Sequence, residues 1–354
     1  MAETALQRPI EVKDVRKRRI FLLDMIVRLF KEKPMGAVGF VIIVLLALTA
    51  IFADLQWLGF APPEEGGPGL APYGWNQLFL LDRLSPPSAQ FLLGTDNLGR
   101  DMLSRIVYGS RISITVALGA QAISVVVKLL IAVPSGYFGG KYDIVLQRFV
   151  DAWICFPALA LYLTVMAVLG AGMWQVIAVL GISGGISQTR VIRSAVIRIR
   201  EEVYFEAARA IGVPGWRIIT RHVIPNIMAV VIISVATGMG MVILAESTLS
   251  FLGLGIPPPY PSWGGMLSSS GRRFMTLAPW MMVWPGVALS LVVFAFNMLA
   301  DALRDLIDPR LRGGLGKYSL SLEKLREIAK KKSDELKTEL EKAEQAQEGD
   351  NLRV

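Results

Sequence analysis

The sequence predicts an all-α membrane protein: six transmembrane helices, preceded by an amphipathic helix in the membrane interface and followed by a charged helical tail. Three observations carry this reading. Of 354 residues, 53% are hydrophobic and 19% charged, with a mean hydropathy of +0.49; ordinary soluble domains run nearer 45–50% and about 25%. The apolar residues come in long blocks, not scattered at helix or strand periodicity around a soluble core. The 37 Lys and Arg residues fall unevenly between the segments that separate those blocks.

Residues 14–33 set Arg and Lys around Phe21, Leu22, Met25, Ile26, Leu29 and Phe30 at helical spacing, and Pro34 closes the segment. That pattern suits a helix lying in the inner interface of a bilayer. A helix rises about 1.5 Å per residue, so a hydrocarbon core of about 30 Å takes roughly 20 apolar residues. Six runs meet or approach that length: 35–53, 112–134, 152–169, 173–188, 223–245 and 279–299. Gly181, Gly184 and Gly185 interrupt the fourth; glycines so spaced in lipid mark close helix packing more often than a break. The first run is expected to stay attached, being longer and further from Met1 than the h-region of about 7–15 residues in a signal peptide.

Basic residues set the orientation. Segments 1–34, 135–151, 189–222 and 300–354 hold 9, 2, 7 and 12 of them, whereas 54–111 and 246–278 hold 4 and 2. Both termini are therefore expected in the cytoplasm, and the net charge of +8 expresses membrane topology; no basic patch on a soluble domain points to nucleic acid. The chain divides into 1–34, a tail with the interfacial helix; 35–53, the first span; 54–111, an outer loop rich in Pro and Gly; 112–312, a core with the remaining spans and a long basic loop at 196–222; and 313–354, a Glu/Lys-rich tail read as a solvated helix.

Lone polar groups near the spans read as structural. Lys128, six residues before Pro134, is expected to extend its stem to the cytoplasmic end of its helix. Asp151 and Glu246, at span edges, are read as caps or inter-subunit pairs. Pro134, Pro157, Gly238, Gly240 and Pro285 would supply kinks and close crossings.

Bond chemistry finds no residues to perform it. Gly316-Lys317 in LRGGLGKYS fails as a phosphate-binding loop, because Leu311 stands where its first glycine belongs and Tyr318 replaces the hydroxyl residue. His222 is the only histidine and Cys155 the only cysteine, which excludes a His/Cys metal cage, and no G-x-S-x-G elbow accompanies His222. No enzyme, cofactor or metal is expected.

Residues 189–226 mimic a DNA-reading helix-turn-helix: a helix through 201–211, a turn at Gly212, Val213, Pro214 and Gly215, and a second helix from Trp216. Apolar spans begin within a few residues on either side, so the loop is tied to the membrane and cannot enter a major groove. A short helix pair parallel to the bilayer suits a cytoplasmic protein partner instead. Ala207, Ala208 and Ala210 keep the surface low, Gly212 and Pro214 shape the turn, and Glu206 offers a charge for pairing.

Glu206-Ala207-Ala208-x-x-x-Gly212, with Pro225 at the next span's entrance, resembles the EAA loop of permeases in binding-protein-dependent ABC importers. Three further blocks, at 93–114 (LGTDNLGRDMLSRIVYGSRISI), 246–267 (ESTLSFLGLGIPPPYPSWGGML) and 284–312 (WPGVALSLVVFAFNMLADALRDLIDPRLR), are similar to the dipeptide/oligopeptide/nickel permeases, specifically the second, C-type subunit. The likeness covers roughly 25–312; the charged tail and the Pro/Gly content of the outer loop extend beyond it. It implies a type I importer permease fold in a prokaryotic cell membrane. It also implies coupling to an ATPase through Glu206, Ala207, Ala208, Gly212, Val213, Pro214, Gly215 and Pro225. The implied partners are a homologous second permease, two cytoplasmic ATPases, an external substrate-binding protein and the lipid bilayer. Di- or oligopeptides head the implied solutes, with nickel or oligosaccharides as alternatives; a gradient-driven secondary transporter is the rival of another class, although no inverted repeat supports it.

Overall fold

The computed structural model describes residues 21–53 and 69–307; the readings over 14–20, the Pro/Gly stretch at 54–68 and the tail 313–354 lie outside the described residues. Among the described residues the chain is helical, with one isolated bridge between Thr95 and Asp101 and no strand. The amphipathic segment forms α1 (Phe21–Glu32), whose Leu29 is buried and whose Phe30 meets Phe40 edge-on at 6.2 Å. Pro34 opens α2 (Pro34–Ile51) in its first turn, where a missing N–H costs little.

Helix α3 (Met102–Phe138) starts ten residues before the apolar run at 112–134. The Asp101 carboxylate explains the early start, accepting the Ser104 N–H and hydroxyl at 2.7 Å each as an N-cap. Burial raises the Asp101 carboxyl above its ordinary pKa, against the lowering pull of those Ser104 bonds. Pro134 lies inside the helix, which runs on to Gly139 at φ +67°.

The run at 152–169 is not one straight helix. Residues 152–154 finish α4 (Gly140–Ile154), and α5 (Ala158–Leu169) leaves it at 84°. Pro157 accounts for the break, lacking an N–H and disfavouring helical backbone at Phe156. The run with three glycines is an unbroken helix, α6 (Met173–Arg200). It lies against α3 in the same direction: Ile177 faces Gly119, Gly181 faces Ala120 and Ile123, Gly185 faces Ser124 and Val127, and Val196 faces Gly136. A Cβ on Gly181 or Gly185 would come within 2.8 or 2.9 Å of the carbonyl oxygens of Ala120 and Ser124, so these two glycines set the closeness of the pair.

Two short helices, α7 (Val203–Ala210) and α8 (Gly215–Ile218), and a wide π turn at Ile219–Val223 lead into α9 (Ile224–Phe251). After α10 (Trp263–Leu267) and α11 (Ser269–Phe274), α12 (Trp280–Ile307) completes the described chain. Helix α9 runs against α3, with Ser234 beside Lys128 and Gly238 beside Gln121. Gly36 and Gly39 of α2 press on Ala302 and Ala295 of the oppositely directed α12. Among the described residues four helices, Pro34–Ile51, Met102–Phe138, Gly215–Phe251 and Trp280–Leu306, are long and apolar enough to cross a membrane, or five with the bent α4–α5 pair.

The two largest apolar clusters among the described residues fill the bundle. The larger gathers Val116, Ala120, Ile177, Leu180, Ile243 and Phe296 from α3, α6, α9 and α12. The smaller joins the C-terminal ends of α3 and α6 to the start of α9. At the other end, 69–101 and 252–279 form a hydrogen-bonded cap. Trp263 Nε1 donates to Ile106 O at 3.1 Å, Trp280 Nε1 donates to Thr95 O at 3.0 Å, and Trp75 stacks on Tyr260 at 5.5 Å.

Two expectations for polar groups are corrected. Lys128 does not reach along its helix to water: it is 0% exposed, and its Nζ donates to Gln188 Oε1 at 2.9 Å and Ser234 Oγ at 3.0 Å. Acceptors on two packed neighbours hold the ammonium closer than any interface could. Glu246 lies within α9 and is fully buried, accepting from Ser250 Oγ at 2.7 Å and Ser247 Oγ at 3.3 Å, so it is neither an edge cap nor exposed to a partner. Asp151 does sit at an edge, paired with Arg148 at 3.2 Å and with Arg190 of α6.

Candidate functional site

Arg200 ends α6, so residues 196–200, grouped with the loop by sequence, are its last turn. The loop itself is built on four inward side chains. Phe205 and Ala208 of α7, Ile218 of α8 and Val223 of the π turn are buried together against Val133, Val196 and Ile227. Tyr137 of α3 lies edge-on to Phe205 at 5.9 Å, and its hydroxyl would be 2.7 Å from a Cβ at Gly215. A side chain at 215 would displace that hydroxyl, so Gly215 leaves Tyr137 its place.

Gly212 is required for a different reason. It takes φ +73° after α7; its N–H reaches Arg209 O at 3.0 Å, while Val213 N–H reaches back to Ala208 O at 3.1 Å. That pair of bonds is the Schellman stop, in which a left-handed residue closes the helix. A Cβ at Gly212 would meet nothing within 4 Å, so backbone conformation alone selects glycine. Pro214 then takes φ −62° as N-cap of α8, the value its ring imposes. Pro225 stands in the first turn of α9 just after the π turn, and Asn226 Nδ2 donates to His222 O at 2.6 Å.

The outward face is the inverse of a soluble surface. Val203 is 81% exposed, Ile211 80% and Trp216 66%. Among them lie the exposed Glu206, Ala207 and Pro214, with Val213 and Gly215 half-buried. Glu206 has no ion-pair partner among the described residues, and with Arg200, Glu201 and Arg209 it edges a hollow of ≈ 330 Å³ beside α7. Tyr204 lies 6.3 Å ring to ring from His222, and burial, with a smaller push from Glu202, raises its phenol above the ordinary value.

All eight residues assigned from sequence thus lie within one continuous stretch. Its anchors were missed: Tyr137, Phe205, Ile218 and Val223 carry no motif, although the 3–4 spacing of Phe205 and Ala208 marks an inward face of α7. Also missed was the Asp143–Arg193 ion pair tying α4 to α6, in which Arg193 Nε donates at 2.7 Å and Ser135 adds its hydroxyl.

Apolar helices sufficient for several crossings, with a turn between α6 and α9 that bares Val203, Ile211 and Trp216 beside the acid Glu206, define a multi-pass membrane protein. The chain belongs to the family described as binding-protein-dependent transport system inner membrane component, which matches residues 128–313. It is 37% identical to the dipeptide transport system permease protein DppC of Alkalihalophilus pseudofirmus over 80% of this chain and 88% of that one. It is 31% identical to the oligopeptide transport system permease protein OppC of Bacillus subtilis, covering 88% and 97%. Identity is 36% to the glutathione transport system permease protein GsiD of Pectobacterium atrosepticum, over 69% and 81%. Among solved structures, an inward-facing MetNI methionine ABC transporter resembles 57% of this chain and covers 97% of its own, at 14% identity and TM-score 0.45.

Proposed function

We propose that this chain is one permease of an ATP-driven, binding-protein-dependent importer of di- or oligopeptides, in a prokaryotic cell membrane with both termini cytoplasmic. It pairs with a homologous second permease to form the path, takes solute from an external binding protein, and performs no bond chemistry itself. The names of the peptide-transport relatives support the solute class. Six crossings, by α2, α3, the bent α4–α5 pair, α6, α9 and α12, are supported by helix direction: α3 and α6 run parallel, so the chain between them must return across the bundle, and that pair is the segment available.

The observation that carries the coupling role is the turn around Gly212. Its inner side chains are locked to the ends of α3, α6 and α9, while its outer face is apolar, low and bears an unpaired Glu206. Force applied there by an ATPase moves three spans together, because close-packed bundles shift between discrete arrangements as bodies. The test uses the complex with its ATPases. Glu206→Lys and, separately, Gly212→Val leave the chain in the membrane but abolish peptide uptake and release ATPase activity from uptake. Full uptake by both variants, or purification of a transporting protein without any ATPase, overturns the proposal.

A further inference from the structure

At the end of the bundle away from the Gly212 turn, a cavity of ≈ 270 Å³ opens between the start of α3 and the segment 250–268. Its charged lining is Asp96, Arg100 and Arg105. The two arginines are not equally engaged. Asp96 Oδ1 accepts the backbone N–H groups of Leu98 and Arg100 at 2.8 and 2.9 Å, and Oδ2 takes Arg100 Nε at 2.7 Å. That leaves Arg105 Nε at 3.8 Å from the same oxygen, outside hydrogen-bond reach.

Arg105 is nonetheless only 7% exposed, and among the described residues its one side-chain hydrogen bond runs from Nη1 to Trp75 O at 3.2 Å. A guanidinium carries five N–H donors and is charged at any ordinary pH, so most of the N–H groups of this cavity-lining side chain have no acceptor among the described residues. Asn97, also in the lining, has a buried Oδ1 with no partner; turned over, its amide offers N–H groups at the same place. Glu246, the acid behind the wall, does not line the cavity, its oxygens taking the hydroxyls of Ser247 and Ser250. Two cations against one saturated carboxylate leave one positive charge in a largely enclosed space walled by Pro257, Pro258 and Met281.

We infer that this cavity receives a single carboxylate, gripped by the Arg105 fork with Arg100 beside it. Planar two-point recognition of carboxylate is what a guanidinium does best. The volume lies below the roughly 300–1,000 Å³ of sites that enclose a whole drug-sized ligand, so a chain end or one acidic side chain enters, not an entire oligopeptide. The inference rests on the importer reading, in which two sources bring that group to the outer face: the C-terminus of the peptide and acidic side chains of the binding protein.

The test is hydrogen–deuterium exchange on the full transporter in nanodiscs, followed at residues 96–105 and 253–268. Four probes are titrated: triglycine and its C-terminal amide, and the amides of N-acetylglutamate (side chain free) and N-acetylglutamine. Protection by triglycine but not its amide assigns the site to a peptide end; protection by the glutamate but not the glutamine probe assigns it to an acidic side chain. Arg105→Gln weakens the effective probe by roughly 10- to 100-fold. Arg105→Lys, which keeps the charge and loses the fork, weakens it less at unchanged melting temperature, and it decides the matter if the glutamine variant does not fold. Equal protection by acid and amide, no protection by any probe, or both variants binding like wild type overturns the inference. Wild-type binding in a transporter without ATP-driven peptide uptake would instead remove the importer reading and leave the carboxylate site standing.

Discussion

Lys128 joins three helices through one atom. Its Nζ, on α3, holds Gln188 of α6 and Ser234 of α9, and buried polar groups cost heavily when a partner is removed but little when all partners go together. Lys128→Met is therefore expected to destabilise the protein by about 1–3 kcal/mol, whereas Lys128→Met with Gln188→Leu recovers much of that loss. A thermal melt of the two variants in detergent reads the difference, and additive losses would show that the residues are not coupled. The lysine was visible in the sequence as a charge inside an apolar run; its partners, 60 and 106 positions away, were not, because no periodicity within α3 says what faces it. Glu246 eluded the sequence in the same way, since an apolar run stops at an acid whether the helix ends there or continues to Phe251. The residues of the Gly212 turn were legible because their constraints are local: a left-handed stop, a fixed proline φ and small side chains leave marks within a dozen positions.

Helices show what an apolar run can and cannot report. Runs marked where α2, α3, α6, α9 and α12 lie but missed ends, because Asp101 caps α3 out in the polar segment and Arg200 ends α6 well past its last apolar turn. The bend at Pro157 was written as a single proline, which elsewhere in this chain, at Pro134 and Pro285, sits inside a helix; the two outcomes differ by neighbours, not by the residue. The glycines of α6 likewise divide by direction. Gly181 and Gly185 face α3 with no room for a Cβ, whereas Gly184 has only Ser124 Oγ, at 3.8 Å. Gly185→Leu is expected to separate α3 from α6 and abolish the folded protein on gel filtration, and Gly185→Ala to cost about 1–3 kcal/mol by overpacking. Gly184→Ala is expected to raise stability by up to about 1 kcal/mol through helix propensity. A melt in which all three glycines behave alike would contradict the packing of this pair.

Across the molecule, the two proposed sites lie at opposite ends: the cavity lined by Arg105 in the cap, and the turn around Gly212 packed on the ends of α3, α6 and α9. The proposed orientation gives a direct check. Cys155, exposed at the bend between α4 and α5, is the only cysteine in the sequence. Because Cys155 lies within the broken α4–α5 span, the check uses a Cys155→Ser background: a membrane-impermeant maleimide is expected to label Ile211→Cys, in the turn itself and 80% exposed as isoleucine, in inside-out vesicles and not in intact cells; the reverse pattern would invert the topology and place the Gly212 turn beyond reach of any ATPase. That turn has one more property. Because an L-configured Cβ at 212 meets no atom while the backbone there is left-handed, what the position excludes is chirality and not bulk: a mirror-image alanine, for which this φ is the ordinary one, would remove the backbone penalty that any L side chain meets there.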